Sequence, residues 1–362
     1  MDDRALRSTV PLRYDRTRGE LVLLDQTKLP GEVAHIRARS VEQVFEAIRS
    51  LRVRGAPAIG CAAAYGVALA ASEAEDRREG PAAARACALE ACRYLATSRP
   101  TAVNLFRALD RMEARLRAAG DAPDASLRDV LLDEADAFFR EDEESCLRIS
   151  EAGLALLSPG MGILTHCNAG SLATSRYGTA LGPVHLGQER GYRFRVYADE
   201  TRPLLQGARL TAYELMTDGV DTTLLCDGMA ASVMAAGLVQ AVLVGGDRVA
   251  ANGDTANKVG TNGVSILARH YGIPLYVLVP VTSIDPGCPD GAAIPIEMRG
   301  ASEVTEAWYR TRMAPEGVKV FNPAFDVTEA SRIAAIVTDR GVLRPPYGPA
   351  IARLFAGEGG RP

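Results

Sequence analysis

The stretch Leu164-Thr165-His166-Cys167-Asn168-Ala169-Gly170-Ser171-Leu172-Ala173-Thr174 is the part of the chain around which the rest is organised. Met161–Leu164 is a short apolar run behind a Pro-Gly pair, which predicts a buried strand. The run ends in a thiol, an amide and several hydroxyl groups. In an open α/β sheet, ligands bind in the loop after the carboxyl end of a strand. An inert buried cysteine followed by an ordinary turn would look the same, so this stretch alone leaves both interpretations open.

The second half of the chain alternates between two kinds of segment. Short apolar runs predict strands at 161–165, 194–198, 221–225, 241–245 and 274–279. Helix-like segments separate them at about 178–190, 208–218, 228–237 and 259–271. This alternation predicts an α/β fold with a parallel sheet and helices on both faces. No G-x-G-x-x-G fingerprint follows the first strand, so a dinucleotide is not the favoured ligand.

The first half predicts a smaller unit of a different kind. Glu20–Leu24 and 33–37 read as short strands, and Ser40-Val41-Glu42-Gln43 fits a capping box that opens a helix. Two amphipathic helices are expected at 80–97 and 103–119. The Gly-, Pro- and Asp-containing run from Gly120 to Ser126 reads as a linker before a long helix. We therefore predict two domains, 1–125 and 126–362.

Composition and charge limit the classes of partner. The chain has 362 residues with 47% hydrophobic and 24% charged residues, and its net charge of −4 gives no general attraction to nucleic acid. Its seven cysteines include no C-x-x-C pair, which argues against a zinc site and suits a reducing cytoplasm. No signal peptide is apparent. The apolar segment Ala56–Ala71 contains Pro57 and glycines, so a buried helix is expected rather than a membrane span.

Polar clusters follow four of the predicted strands. Because all carboxyl ends of a parallel sheet lie at one edge, these clusters should converge on one site. They are His166-Cys167-Asn168, Asp199–Pro203 with Gln206-Gly207, Cys226-Asp227-Gly228, and Gly246-Asp247-Arg248 with Asn252–Asp254 and Asn257–Thr261.

Two of the segments suggest anion binding. Arg54 enters a Gly/Ala/Pro segment that opens an apolar helix, and such a helix start beside an arginine favours phosphate, although tight helix packing also needs small residues. Asn257-Lys258 is predicted to open another helix and offers a second anion contact. Arg99 precedes Pro100 on a predicted turn and is either a further anion contact or a surface arginine.

Two other interpretations of the polar residues are less favoured. The acidic run at 245–254 lacks the ligand spacing of an EF-hand calcium loop. His166 and Cys167 are adjacent on an extended segment and would point to opposite faces, so they do not make a protease-like nucleophile and base. We expect His166 to be a packed or supporting residue.

Taken in order along the chain, these motifs resemble the methylthioribose-1-phosphate isomerase family. Its superfamily includes the regulatory subunits of the eukaryotic initiation-factor exchange complex and ribose-1,5-bisphosphate isomerase. The resemblance covers nearly the whole chain. It rests on Arg54–Gly60, Thr165–Gly170, Glu200–Pro203 with Gln206-Gly207, Gly246–Gly253, Asn257–Thr261, Asn322–Thr328 and Gly341–Tyr347.

The resemblance implies a small N-terminal domain of short strands and helices, a Rossmann-like C-terminal domain and a homodimer. It implies an aldose-to-ketose conversion of a sugar phosphate in methionine salvage, without a metal or nucleotide cofactor. By motif, Cys167 and Asp247 match the catalytic pair. The substrate contacts implied are Arg54, Gly55, Ala56, Arg99, Gln206, Asn257 and Lys258.

The chemistry assigned to this pair is a hypothesis. A sugar whose anomeric oxygen carries phosphate has no free aldehyde, so ring opening needs an acid at the ring oxygen. Asp247 could supply that proton if burial raises its pKa, and Cys167 could be the base. Two alternatives stay open: an isomerase of 5-deoxyribose 1-phosphate or ribose 1,5-bisphosphate, and a non-catalytic regulatory subunit on the same fold.

Overall fold

The computed structural model describes residues 9–99, 103–119 and 126–356. The chain divides into two compact units. The first runs to Cys146 and includes Ser171–Gly178, while the second comprises Leu147–Gly170 and the chain from Thr179 onward. The predicted domain boundary at 125/126 lies before this division, and the predicted linker at 120–125 falls outside the described residues.

The first unit begins with an antiparallel sheet of three strands. These are β1 (Leu12–Asp15), β2 (Glu20–Leu24) and β3 (His35–Ala38), with β2 in the middle. Five helices follow: α1 (Val41–Arg49), α2 (Ala56–Asp76), α3 (Pro81–Ala96), α4 (Val103–Ala118) and α5 (Leu127–Leu154). The predicted capping box of α1 is confirmed, since Gln43 N–H donates to Ser40 Oγ and the Gln43 side chain accepts from the Ser40 backbone.

Helix α2 is the centre of the first unit. Its residues are buried without a break from Ala58 to Ser72, and most of them are small. Small side chains let neighbouring backbone approach closely: a Cβ on Gly60 would lie 2.8 Å from the carbonyl oxygen of Asn104. The apolar segment is therefore a core helix, and among the described residues no helix is long and apolar enough to cross a membrane.

The described residues of the second unit contain eleven strands and six α-helices. The strands are β4 (Gly162–Thr165), β5 (Arg195–Asp199), β6 (Asp221–Leu225), β7 (Ala241–Val244), β8 (Arg248–Ala250), β9 (Thr255–Lys258), β10 (Leu275–Leu278), β11 (Ile284–Asp285), β12 (Phe325–Thr328), β13 (Ala335–Thr338) and β14 (Gly341–Leu343). The helices are α6 (Gly182–Glu189), α7 (Ala212–Thr217), α8 (Ala230–Ala235), α9 (Thr261–His270), α10 (Ser302–Thr305) and α11 (Tyr347–Ala356).

The larger sheet of the second unit has seven strands in the order β14-β13-β10-β7-β4-β5-β6. Every neighbouring pair is parallel except β13 and β14. The chain proceeds from β4 to β5 and β6 on one side, and through β7 and β10 to β13 on the other. The strand order therefore reverses between β4 and β7, which is where an open α/β sheet forms its ligand crevice. The predicted parallel sheet is confirmed.

A second sheet, in the order β11-β8-β9-β12, has no counterpart in the sequence prediction. The residues of β8 and β9 were expected to be loop and helix start. They form an antiparallel pair instead, and β9 also pairs antiparallel with β12. This corrects the placement of Asn257 and Lys258: they lie at the end of β9, and the helix begins only at Thr261.

Candidate active site

The two predicted catalytic residues follow the two strands at which the sheet reverses. Thr165 on β4 is in register with Leu243 on β7. Cys167 comes just after β4 and Asp247 just after β7. Parallel register brings both to the same edge of the sheet. The structure thus brings together the thiol and the carboxyl that the sequence places eighty residues apart.

The backbone of Cys167 is held in an unusual conformation. Its φ is +69°, in the left-handed region that costs a non-glycine residue about 1 kcal/mol. Its N–H donates to Thr201 Oγ1 at 2.8 Å, and its carbonyl accepts from Thr211 Oγ1 at 2.6 Å. Two threonine hydroxyls therefore hold this conformation and leave the half-buried thiol at the loop.

The loop after β5 is fixed in turn by a carboxylate. Asp227 accepts from the N–H groups of Thr201 and Arg202 at 2.7 and 2.8 Å. The same loop carries Gln206, which is 7% exposed and whose Oε1 accepts no hydrogen bond from the described residues. A buried amide oxygen without a donor is costly unless a ligand supplies one, which favours the predicted substrate contact at Gln206.

His166 lies on the other side of the Cys167 backbone and is 1% exposed. Its Nδ1 is 3.0 Å from Asp199 Oδ2 and its Nε2 is 2.9 Å from the carbonyl oxygen of Val259. Burial disfavours the charged ring, but the hydrogen bond to Asp199, the charges of Asp199 and Asp227 and the bond to the Val259 carbonyl together outweigh it and raise the pKa of His166. Burial also raises the pKa of Asp199, against the opposing effect of His166. The histidine is a packed residue, as expected.

The backbone of Asp247 is hydrogen-bonded to β9, the strand that carries the predicted phosphate contacts. Its N–H donates to the carbonyl of Ala256 at 2.8 Å, directly before Asn257 and Lys258. Its side chain is exposed in this structure. The sequence hypothesis made the acid role of Asp247 conditional on burial, and the protein itself leaves this carboxyl exposed, because Asp247 lies on the turn between β7 and β8.

Asn257 and Lys258 are the last two residues of strand β9. Asn257 is buried and donates from Nδ2 to Thr261 Oγ1 at 3.0 Å. Lys258 Nζ donates to the carbonyl of Ala324 at 3.1 Å and lies 4.5 Å from the centre of the Phe325 ring. The ammonium group is thus held in place before any ligand arrives.

The backbone N–H groups at the start of α9, which were expected to bind an anion, already donate hydrogen bonds to Asp326. Asp326 Oδ2 accepts from Gly260 N–H at 2.7 Å, and its Oδ1 accepts from Asn262 N–H at 3.0 Å. This carboxylate occupies the amides that a phosphate would use. The charge of Lys258, and not the helix terminus beside it, is what this part of the site offers to an anion.

The remaining predicted contacts lie in the first unit. Gly55 is the N-cap of α2 with φ +92°, Ala56 is the first helical residue, and Arg54 precedes them half-buried. A Cβ on Gly55 would lie 2.3 Å from the carbonyl oxygen of Ala173, so only glycine fits. Arg99 is half-buried after α3, and Pro100 lies outside the described residues.

Sequence reasoning missed the residues that hold this loop in place. Thr201, Thr211 and Asp227 fix the backbone on either side of the thiol, yet none was given this role. Thr201 and Asp227 lie in the polar clusters that were predicted to converge on one site, whereas Thr211 lies in a segment predicted to be helical. A hydroxyl that bonds a distant backbone group leaves no pattern in a single sequence.

His166, Asp199 and Asp227 also form a group that could be considered for a metal, with ligand atoms within 4.8 Å of one another. Both nitrogens of His166 and both oxygens of Asp227 already make hydrogen bonds to protein groups. A metal would have to displace these bonds. The geometry favours a hydrogen-bonded cluster that supports the loop.

Fold and site together define a Rossmann-like α/β enzyme with a thiol and a carboxyl at the switch point of its sheet. The chain matches the Initiation factor 2 subunit family over residues 52–345. It is 60% identical to a methylthioribose-1-phosphate isomerase of Symbiobacterium thermophilum, over 95% of this chain and 96% of that protein. The chain belongs to this family and is an isomerase of its methylthioribose-1-phosphate isomerase branch.

Two further relatives support this assignment and widen the choice of substrate. A 5-deoxyribose 1-phosphate isomerase of Petrotoga mobilis is 52% identical over 96% of this chain and 99% of that protein. The crystal structure of 5-methylthioribose 1-phosphate isomerase from Pyrococcus horikoshii is similar with a TM-score of 0.89 at 40% identity, over 99% of this chain and 100% of that one.

Proposed function

We propose that the protein converts 5-methylthio-α-D-ribose 1-phosphate into 5-methylthio-D-ribulose 1-phosphate, a step of methionine salvage. One observation carries the proposal. The segments that carry Cys167 and Asp247 both form hydrogen bonds to the chain around Asn257-Lys258, one on each side of this pair. The Asp247 N–H bonds the carbonyl of Ala256, and the His166 ring bonds that of Val259. A base, an acid and a cation therefore share one framework within the second unit.

The proposed chemistry begins with ring opening. The anomeric phosphate prevents the ring from opening as in a free sugar, so Asp247 donates a proton to the ring oxygen while positive charge develops at C1. Hydrogen then moves from C2 to C1, and Cys167 removes a proton from C2 or from its hydroxyl. Because Asp247 is exposed here, the bound sugar must itself shield this carboxyl from water for it to act as an acid.

The proposed binding interactions place the phosphate by charge and the sugar by hydrogen bonds. Within the first unit, Arg54 and the backbone N–H groups at Gly55 and Ala56 are suited to hold the dianion, and within the second unit Lys258 is suited to do so. Gln206 would accept from a sugar hydroxyl, which gives its buried Oε1 a donor. Arg99 and Asn257 complete the contacts that the family resemblance implies.

Turnover of the sugar phosphate by the purified protein tests the proposal directly. The variants Cys167→Ser and Asp247→Asn should each lower kcat by about 10²–10⁴-fold, the usual contribution of an acid or base group. Circular dichroism and melting temperature serve as controls for folding. Near-wild-type kcat in either folded variant would show that the assigned role is wrong. A complete lack of turnover by the wild-type protein would favour the regulatory-subunit alternative.

A reaction in deuterated water separates the two routes for the hydrogen. An enediol route exchanges the transferred proton with solvent, so deuterium should appear at C1 of the ketose. A hydride shift moves hydrogen directly and leaves C1 unlabelled. A shielded base that returns the same proton would also leave C1 unlabelled, so deuterium at C1 is the decisive outcome.

A second candidate substrate has a specific observation in its favour, the 52% identity to a 5-deoxyribose 1-phosphate isomerase. The two sugars differ by a methylthio group, and one such apolar group contributes only about 1–3 kcal/mol to discrimination. We expect turnover of both, with kcat/KM about 10- to 100-fold higher for the methylthio sugar. Equal values, or a preference for the deoxy sugar, would reassign the physiological substrate.

We also propose that the protein is a homodimer. Strand β6 is an edge of the seven-stranded sheet. Apolar side chains on and around it are exposed, with Met216 at 66%, Leu224 at 50% and Met229 at 50%. An exposed apolar edge of this kind is usually covered by another chain. Light scattering coupled to gel filtration should give twice the chain mass, and Leu224→Lys should reduce it.

A further inference from the structure

The buried side chain of His166 connects several segments of this site. It stands directly before Cys167, and its two ring nitrogens join the end of β5 to the turn that follows β9. A Cβ on Gly260, at the start of that turn, would lie 2.6 Å from the imidazole ring. One side chain therefore connects the segments that carry the thiol, Asp199 and Lys258.

The partners of the ring fix how many protons the cluster holds. The carbonyl of Val259 has only lone pairs, so Nε2 must carry a proton. The contact between Nδ1 and Asp199 needs a second proton, on the ring or on the carboxyl. With two protons the pair has no net charge. The raised pKa values of His166 and Asp199 both favour this state.

Two further acidic groups act on the ring. Asp227 faces it from the segment after β6, and Asp326 faces it from β12. Asp199 is fully buried, and its Oδ1 accepts no hydrogen bond from the described residues. Without His166, Asp199 would lose its cationic partner while the acidic groups Asp227 and Glu200 still act on it. Its backbone carbonyl accepts from Thr201, whose Oγ1 also binds the Cys167 N–H.

We propose that His166 is a positioning residue for the reaction at Cys167, fixing the thiol loop against the β9–α9 turn and cancelling the charge of Asp199 behind the thiol. The inference rests on the proposed function, because it assigns Cys167 the proton transfer. It adds two requirements: the histidine must keep its geometry, and the pair must stay neutral overall.

Two variants separate geometry from charge. His166→Gln can still donate to the Val259 carbonyl but leaves Asp199 without a cationic partner. The double variant His166→Gln/Asp199→Asn restores neutrality. We expect kcat of the single variant to fall about 10- to 100-fold with a much smaller change in KM, because the thiol is misplaced while the phosphate contacts remain.

The charge requirement has its own measurement. The rate of alkylation of Cys167 by iodoacetamide, followed by mass spectrometry of its peptide, gives the pH at which half of the thiol reacts. In His166→Gln this midpoint should move up by about one pH unit, since a nearby anion disfavours the thiolate. In the double variant it should return to the wild-type value.

His185→Gln is the matched control. His185 is also buried and pairs with carboxylates, at 2.7 Å from Asp218 and 3.8 Å from Glu214. Its loss should lower the melting temperature without moving the alkylation midpoint. If His166→Gln behaves the same way, or if the double variant keeps a raised midpoint, the inference is overturned. Retained activity in Cys167→Ser would refute the proposed function instead, and the alkylation result does not depend on it.

Discussion

Two helices of this protein both begin after a glycine N-cap but differ in the groups that they present to an anion. Both α2 and α9 have a glycine at the N-cap in the left-handed region, Gly55 with φ +92° and Gly260 with φ +106°. At α9 the first amides donate to Asp326. At α2 the first turn contains no acidic residue, and Arg54 precedes it.

The difference shows that a helix start is an anion site only when the protein does not use it. The amides of α9 already have an anionic partner, so that terminus serves to anchor β12 to the helix. The start of α2 has an arginine directly before it and no side-chain cap at Gly55 among the described residues, and a cation at a helix start is an arrangement that binds phosphate elsewhere. The two candidate phosphate contacts therefore differ in kind: backbone amides with Arg54 in the first unit, and the Lys258 side chain in the second.

The largest effect is expected from Gly55→Ala. A Cβ at this position would lie 2.3 Å from the carbonyl oxygen of Ala173, and alanine is also strained at φ +92°. The start of α2 must then move, and a shift of about 1 Å in a binding group costs about 100-fold or more in kcat/KM. Steady-state kinetics and a thermal melt measure the two consequences.

Gly80→Ala is the matched control for this variant. Gly80 is the N-cap of α3 with φ +89°, but nothing lies within 4 Å of an added Cβ. It should cost only the backbone strain, about 1–2 kcal/mol, and leave kcat/KM near the wild-type value. Equal losses of activity in the two variants would show that strain, and not the position of the α2 start, causes the defect.

A smaller effect is expected from Lys258→Met. The variant removes one charge-assisted contact to the phosphate, about 1.5–3 kcal/mol, so kcat/KM should fall about 30-fold. The melting temperature should change little, because Lys258 Nζ bonds one carbonyl and contacts one ring. Lys319→Met removes an exposed charge from the same unit and serves as the control.

Binding of inorganic phosphate tests the difference between the two helix starts without a measurement of turnover. It should raise the melting temperature of the wild-type protein by mass action, and less so in Lys258→Met. The shift should be unchanged in Asp326→Asn, because the α9 amides keep a side-chain partner. A larger phosphate shift in Asp326→Asn would show that the α9 terminus is itself an anion site.

The large sheet and the helices of the first unit could be predicted because their signals are local. Strands buried on both faces of a parallel sheet are continuous apolar runs, as in 241–245, and the capping box at Ser40 lies within four residues. The convergence of Cys167 and Asp247 followed from the general rule that parallel strands end at one edge.

The small sheet around the site could not be predicted in the same way. Strands β9 and β12 carry Asn257, Lys258 and Asp326, which are polar, and their strand character comes from pairing with each other. The hydrogen bond from Gly260 to Asp326 joins residues 66 positions apart. No local sequence pattern therefore predicts that the amides at the start of α9 already have a partner. The exposure of Asp247 likewise depends on the turn between β7 and β8, which has no periodic signal.

The smallest effect concerns the carboxylate that fills the α9 terminus. Burial raises the pKa of Asp326 in spite of its two backbone hydrogen bonds. In the folded protein this group therefore keeps its proton to a higher pH than in the unfolded chain. The stability it contributes is full below the ordinary value of 3.8 and is lost as the pH rises through the folded value. Asp326→Asn should thus cost more near pH 4 than near pH 7.

Asp254 provides the control of opposite sign. Burial opposes its ionisation, but hydrogen bonds from Ala330, Asn252 and Gly291 outweigh this and lower its pKa. Its contribution is present above 3.8 and is lost as the pH falls through the lower folded value, so Asp254→Asn should cost more near pH 7 than near pH 4. Urea unfolding of both variants across this range measures the two slopes. Parallel slopes would mean that Asp326 is held as a strong anion, like Asp254, and that the α9 terminus is more electropositive than its buried cap indicates.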